Sequence, residues 1–129
     1  MKVAELSGAM LDYWVLRAEG WVDDRLQDMQ LTRNGEYCIA GVAPKHAVNG
    51  HCWRSPSTDW AVAGPLIERG EISVYASVDW KSERQHSLLH WVGVCERIFT
   101  RRGYIGPTPL VAAMRAFVAG KFGEEVPDV

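Results

Sequence analysis

The chain lacks the short motifs that identify most enzyme and cofactor-binding classes. It contains no GxSxG nucleophile elbow, no GxxxxGK[ST] phosphate-binding loop and no GxGxxG dinucleotide motif. The histidines His86 and His90 have no acidic or cysteine partner at the spacing of zinc ligands. We therefore expect no metal and no cofactor, and no residue is identified as catalytic. Enzymatic activity is left open, and a non-catalytic role is the favoured interpretation.

Strong charge, long apolar runs and paired cysteines are also absent. The formal net charge is −2, so no global positive field favours nucleic-acid binding. No apolar run approaches the roughly 18 residues that span a bilayer, and the N-terminus, with Lys2 as its early positive charge, has no signal-peptide pattern. These features predict a cytoplasmic protein with no membrane partner. The three cysteines, an odd number at irregular spacing, are interpreted as free thiols: Cys38, Cys52 and Cys95.

What is present is the composition of one globular domain. The chain has 129 residues, of which 47% are hydrophobic and 23% charged. This length is sufficient for one hydrophobic core, and the composition is far from that of disordered chains. We expect a single domain over residues 1–129.

Two segments have helical periodicity. The first runs from about Ser7 to Glu19, with Ser7 as the expected N-cap and Gly20 as the stop. The second begins after Thr108, the expected N-cap, with Pro109 at the first helical position. Its two apolar faces contain Leu110, Met114, Phe117 and Val118, and the smaller Ala112, Ala116 and Ala119. Both helices are expected to be covered on more than one side.

Strand patterns occupy the segments between these helices. Residues 29–32 and 36–42 flank an Asn34-Gly35 pair, which is typical of a β-hairpin. Two further strands are expected at residues 71–77 and 87–95, with Gly93 in the second as either a β-bulge or a point of close backbone approach.

Residues 44–54 and 81–86 are polar and are predicted to be loops. These patterns together predict an α+β fold with two main helices packed on a small antiparallel sheet.

Residues 55–69, SPSTDWAVAGPLIER, concentrate hydroxyls, a carboxylate and an indole in one short stretch. Ser57 or Thr58 is expected to cap a short helical turn through Asp59 and Trp60. Gly64 is expected to break the chain, so that the following proline starts a second short turn. The two helical N-termini would then present backbone N–H groups to a ligand. The alternative is that the hydroxyls and the carboxylate only satisfy backbone donors and that the indole is a core anchor.

The GPTP segment provides a second candidate edge of a ligand site. Thr108 caps a helix start, where the helix dipole favours an anion, and Arg115 lies on the same helical face. A phosphate or carboxylate at the cap is one interpretation of this pair. An internal ion pair of Arg115 with Asp12, Asp59 or Glu68 is the alternative.

One basic cluster interrupts the acidic balance of the chain. Arg97, Arg101 and Arg102 lie near Phe99 and Tyr104. The cluster has the residue types that contact a phosphate backbone, but acidic Glu96 lies within it. We interpret the segment as a solvated loop.

Three blocks of the chain carry a family resemblance: ELSGAMLDYWVLRAEG at residues 5–20, SPSTDWAVAGPLIER at residues 55–69, and GPTPLVAAMRAFVAGKFGEEV at residues 106–126. In this order they resemble the NinX-like proteins of tailed phages and prophages. The resemblance implies an accessory phage protein that acts in the cytoplasm of the infected host. It implies no activity, because the family has no established one.

Two functional hypotheses follow for such a protein. The first is a non-catalytic module that binds a small anionic or nucleotide-like ligand where residues 57–60, 64–65 and 106–109 converge. Its expected ligand-binding residues are Ser57, Thr58, Asp59, Trp60, Gly64, Thr108 and Arg115. The second is a protein-interaction module that acts on a host or phage protein, with Trp53 and Trp80 as candidate exposed aromatic residues. Self-association through these aromatic residues is a related possibility, and the oligomeric state is left open.

Overall fold

A computed structural model of the chain describes residues 1–19, 30–31, 36–38, 47–48 and 52–127. A 3₁₀ helix at Val3–Glu5 precedes the three described α-helices, which are α1 Gly8–Ala18, α2 Trp60–Gly70 and α3 Pro109–Phe122. The described strands are β1 Gln30–Leu31, β2 Glu36–Cys38, β3 Ala47–Val48, β4 Cys52–Arg54, β5 Ile72–Ser82, β6 Gln85–Cys95 and β7 Gly103–Gly106. The predicted α+β fold class is confirmed.

The three longer strands form an antiparallel sheet of order β5-β6-β7. β5 and β6 have 11 residues each, whereas β7 has 4 and pairs only with residues 91–94 of β6. The far half of the β5–β6 hairpin therefore has no third strand beside it among the described strands. We call residues 79–89, all of which are exposed, the arm.

The arm corrects the predicted loop at residues 81–86. β5 continues to Ser82 and β6 begins at Gln85, so only two residues, Glu83 and Arg84, form the turn. The prediction was wrong because backbone pairing holds a two-stranded ribbon together without a buried face, and the alternation of apolar residues is then missing from the sequence.

A second sheet has the order β1-β2-β4-β3, with antiparallel pairing throughout. Gln30 lies opposite Cys38, so the predicted pairing of the two hairpin strands is confirmed. The turn itself, at residues 32–35, lies outside the described residues. The predicted loop at residues 44–54 is wrong in its described parts, because β3 and β4 lie there and pair with each other.

Helix α3 is the central element of the core. It packs on all three strands of the longer sheet and contacts both α1 and α2. The sheet approaches it closely at two glycines: a Cβ on Gly93 would lie 2.3 Å from the carbonyl oxygen of Ala112, and one on Gly106 would lie 2.7 Å from the amide nitrogen of Ala112. The predicted close approach at Gly93 is confirmed, and Ala112 belongs to the small-residue face expected to permit it.

The helix ends show how far local patterns decide structure. Thr108 caps α3 by accepting a hydrogen bond from the Val111 amide at 3.1 Å, and Pro109 is the first helical residue, as predicted. Ser7 occupies the predicted N-cap position of α1, but its side chain makes no capping hydrogen bond. The predicted stop of α1, Gly20, lies outside the described residues.

Helix α2 corrects the predicted pair of short turns. It is continuous over 11 residues and contains Pro65 in its interior. The preceding residue is Gly64, whose lack of a Cβ removes much of the clash that a proline ring makes with a helical neighbour. The missing N–H of Pro65 leaves the Ala61 carbonyl without its usual helical donor. Because Ala61 is exposed, water is available to that carbonyl.

Candidate functional site

The residues predicted from the sequence to bind a ligand do not share one environment. Ser57 is buried, with 4% of its surface exposed. Its backbone N–H donates to Asp12 Oδ1 at 2.9 Å, and its Oγ lies 2.9 Å from the Oγ of Ser55. The Ser55 hydroxyl in turn donates to Asp12 Oδ2 at 2.5 Å. These groups form a buried polar cluster between α1 and the segment before α2, so the Ser57 hydroxyl points inward.

The sequence analysis missed Asp12 as the centre of this cluster. Asp12 is fully buried and lies among the buried apolar residues of α1. A carboxylate inside an apolar helical stretch, LDYWV, is the signal that identifies it, because a buried carboxylate requires donors. The sequence analysis named Asp12 only as a possible ion-pair partner of Arg115.

Asp59 caps α2 and Thr108 caps α3, so the prediction of Ser57 or Thr58 as the cap before Trp60 was wrong. Asp59 Oδ1 accepts a hydrogen bond from the Ala61 amide at 2.9 Å. This agrees with the alternative interpretation of residues 55–69, in which the carboxylate satisfies a backbone donor. Thr58 is exposed, and its hydroxyl donates to the Ser55 carbonyl at 3.4 Å. Trp60, 56% exposed, begins α2, so it is not the core anchor of the alternative interpretation. A Cβ at Gly64 would meet no atom within 4 Å beyond its own helix backbone and chain neighbours.

Arg115 joins three parts of the fold through backbone oxygens. Its Nε donates to the Leu6 carbonyl at 2.8 Å, and its Nη1 donates to the Ile105 carbonyl at 2.7 Å. Burial lowers the pKa of this guanidinium from its ordinary value. The acceptors of its hydrogen bonds are these two carbonyl oxygens, and not the carboxylates that the sequence analysis considered. The residue ties the chain before α1 and strand β7 to α3.

Three cavities lie near the C-terminal end of α3, and none of the seven predicted residues lines them. The first has a volume of about 450 Å³. Its walls are Ala18, Gly70, Ile72, Cys95, Arg97, Ile98, Phe117, Gly120 and Lys121. Cys95, whose thiol is free as predicted, lies in its apolar floor, whereas Arg97 and Lys121 are exposed. This cavity combines apolar walls with two cationic side chains.

The other two cavities are smaller, about 80 and 140 Å³, and both are bounded by Arg102, Tyr104 and Glu124. Arg102 lies over the Tyr104 ring, 5.3 Å from its centroid, and bonds to Glu124. Burial raises the pKa of the Tyr104 hydroxyl. A neutral phenol beside an ion pair stabilises this corner of the fold but leaves little space for a ligand.

The basic cluster is exposed, and each of its three arginines has an acidic partner. Arg97 lies 3.4 Å from Glu71, Arg101 lies 3.0 Å from Glu96, and Arg102 pairs with Glu124. The interpretation as a solvated loop is confirmed. These pairings leave the loop without the unopposed positive charge that a phosphate backbone attracts.

The arm presents the most prominent apolar surface of the longer sheet. Trp80, Leu88 and Leu89 are 59%, 52% and 60% exposed. Val78 lies opposite Leu88, and Trp80 opposite His86, with the two rings 4.6 Å apart between centroids. The predicted exposure of Trp80 is confirmed, whereas the side chain of Trp53 lies outside those described. Sequence reasoning missed the two leucines.

The arm is an uncovered continuation of a face that is buried elsewhere. Alternate residues of β5 point to one face, and its first members, Ile72 and Val74, pack in the core. Val78 and Trp80 follow on the same face, beyond the residues of β6 that pair with β7. On this face Ile72 is buried, Val74 and Val78 are half-buried, and Ala76 and Trp80 are exposed, so burial decreases along β5 towards the arm.

Two classes of site have no support in the described residues. No group of three or more His, Cys, Asp and Glu side chains among them is placed to hold a metal ion. None of the described helices combines the length and the apolar character needed to cross a bilayer.

A comparison with protein families matches most of the chain. The family described as Bacteriophage P22, NinX, matches residues 2–121. No curated protein matches the chain. The matched range contains all three helices nearly to the end of α3, together with the arm.

Proposed function

The chain belongs to the bacteriophage P22 NinX family, and on that premise we propose that it is a non-catalytic protein-interaction module. As an accessory phage protein it acts on a host or phage protein in the cytoplasm of the infected cell. The arm is the contact surface in this proposal. The observation that carries it is the exposure of three large apolar side chains, Trp80, Leu88 and Leu89, on a ribbon whose residues are all exposed.

The composition of the arm suits recognition of a protein. Tryptophan is enriched at the centres of interfaces, where a few large side chains supply most of the binding free energy. Charged residues flank the apolar side chains along the arm: Asp79, Lys81, Glu83 and Arg84. Apolar side chains beside polar ones are the usual composition of an interface that forms between separately folded proteins.

Affinity capture from cells infected by a NinX-encoding phage tests this proposal. We expect Leu88→Ser to abolish capture of a stoichiometric partner. Phe99→Ser is the matched control, because Phe99 is fully exposed but lies in the loop after β6. Retention of the partner by Leu88→Ser, or its equal loss with Phe99→Ser, would reject the arm as the contact surface.

A second proposal is the binding of a small anionic ligand in the 450 Å³ cavity. Its apolar walls, Ile72 and Phe117 among them, would accept a ring or short chain, and Lys121 would face its anionic group, because Arg97 is already paired with Glu71. The ligand site predicted at residues 57–60, 64 and 108 remains a separate prediction. Arg115 is less suited to it, because two carbonyl oxygens already engage its guanidinium.

A thermal-shift panel of nucleotides and phosphorylated metabolites tests the cavity. A ligand at 100 times its dissociation constant adds about 2.7 kcal/mol to the free energy of unfolding. We expect Lys121→Glu to remove the shift and Lys81→Glu, on the arm, to leave it intact. Absence of any shift across the panel, or equal loss in both variants, would reject the cavity as a binding site.

A further inference from the structure

The outer edge of β5 is the longest strand edge without a partner among the described strands. β5 pairs with β6 on one side only, and it is an edge of its sheet. Edge strands present a row of backbone N–H and C=O groups that are suited to pairing with another strand. Counting the described strands, the far half of the hairpin is also only two strands wide, an arrangement that has marginal stability in water. Addition of a strand would satisfy the edge and widen the ribbon.

The charges on this edge are self-complementary. Asp79 and Lys81 lie on the same face of β5, with Lys81 Nζ 2.6 Å from Asp79 Oδ2, and both side chains are more than half exposed. The pairing of β5 with β6 shifts register between Trp80 and Ser82, on the side of the strand away from the outer edge. A two-fold axis through Trp80 would place an antiparallel copy of β5 so that Asp79 of each chain faces Lys81 of the other. Opposite charges directly across two strands stabilise their pairing. One axis position thus produces two such pairs.

Neighbouring registers do not place opposite charges across from each other. An axis moved to Asp79 places two carboxylates opposite each other, and an axis moved to Lys81 places two ammonium groups opposite each other. Like charges directly across strands destabilise the pairing. The charge pattern therefore selects the register centred on Trp80.

We propose that the β5 edge binds the β5 edge of a second copy of this chain, antiparallel and with the two-fold axis at Trp80. The contact is isologous, because the same residues contribute from both chains. It joins two arms into a four-stranded ribbon, with the two Trp80 side chains adjacent across the axis. The pairing uses the backbone of β5, so it does not depend on the partner recognition proposed for Leu88 on β6.

Charge exchange tests the proposed contact, with sedimentation velocity of the purified full chain as the measurement. We expect the native chain to dimerise, and Asp79→Lys and Lys81→Asp each to raise the dimer dissociation constant about tenfold or more, since two attractive pairs become repulsive. An equimolar mixture of the two variants should form a heterodimer, because each Lys then faces an Asp. The double variant D79K/K81D should dimerise like the native chain.

The controls separate this pairing from other outcomes. Circular dichroism of each variant checks that the fold is retained, as expected for exposed positions. Leu88→Ser should leave the dimer unchanged, even where it abolishes capture of a foreign partner. A native chain that is monomeric up to about 1 mM, the range of weak association, would overturn the inference. So would a dimer that neither single variant weakens, or a variant mixture that stays monomeric.

Discussion

Asp12 shows that a single buried residue determines the orientation of the chain before α2. Its carboxylate accepts from the Ser55 hydroxyl and the Ser57 amide, which are 43 and 45 residues away in sequence. Both serines are therefore directed inward, although their local sequence is that of a solvent-facing turn. The groups of this polar cluster hydrogen-bond to one another inside the fold, which favours a structural role for them.

Replacement of Asp12 tests this role. We expect Asp12→Ala to lower the free energy of unfolding by about 3 kcal/mol, because hydrogen bonds to a charged group are lost and buried donors are left without an acceptor. Glu83→Ala, in the exposed turn of the arm, should change it by about 0.5 kcal/mol or less. Denaturant unfolding measures both values, and equal effects would contradict the assignment.

Asp59 supports a second prediction about a single residue. As the cap of α2 it accepts from the Ala61 amide, and asparagine is an equally good cap. Asp59→Asn should therefore leave the melting midpoint near that of the native chain, whereas Asp59→Ala should cost about 1 kcal/mol. Thr108→Ala, which removes the cap of α3, is the matched comparison and should cost a similar amount. A large loss with Asp59→Asn would instead show that its negative charge is required.

Among the elements, α2 departs most from its local sequence preference. A proline in a helix interior costs about 3 kcal/mol, and Pro65 is tolerated here beside Gly64 and near solvent. The prediction of two turns followed the usual effect of Gly-Pro, which is to end a helix. Burial of Val62, Ala63 and Leu66 on one side of α2 provides the tertiary packing that overrides that preference.

Removal of this proline should therefore stabilise the protein. We expect Pro65→Ala to raise the free energy of unfolding by about 1 to 3 kcal/mol, since it restores a helical hydrogen-bond donor. Pro109→Ala is the control: at the first position of α3 proline is favourable, and its loss should lower stability by about 0.4 to 1 kcal/mol. Calorimetry measures the melting midpoint of each variant and so shows whether each substitution raises or lowers stability. A destabilised Pro65→Ala would mean that the ring makes packing contacts that outweigh the lost hydrogen bond.

The elements that could be predicted from the sequence are those whose structure is decided by residues close together in the chain. The cap and first turn of α3 follow from Thr108 and Pro109, and the β5–β6 strands were found from their apolar content, although their ends were not. The ends were missed because pairing in the arm buries no side chain. Gly93 was recognised because a glycine inside a strand pattern often marks close backbone approach.

At the scale of the whole molecule, sequence could not place the apolar surface. Leu88 and Leu89 lie in a segment that resembles a core strand, SLLHWVGVC. Both leucines are exposed and lie beyond the residues of β6 that pair with β7. The predicted ligand residues likewise depend on distant partners: Ser57 faces Asp12, and Arg115 spans Leu6 and Ile105. Such long-range contacts leave no local pattern.

The arm carries apolar side chains that the described part of the fold leaves exposed, and we propose that another protein covers them. Photo-cross-linking in infected cells tests this most directly, with a photoreactive amino acid placed at position 88 or, as a control, at position 99. We predict one specific cross-linked partner from position 88 and none of that partner from position 99. A partner that cross-links from position 99 and not from position 88 would contradict the claim.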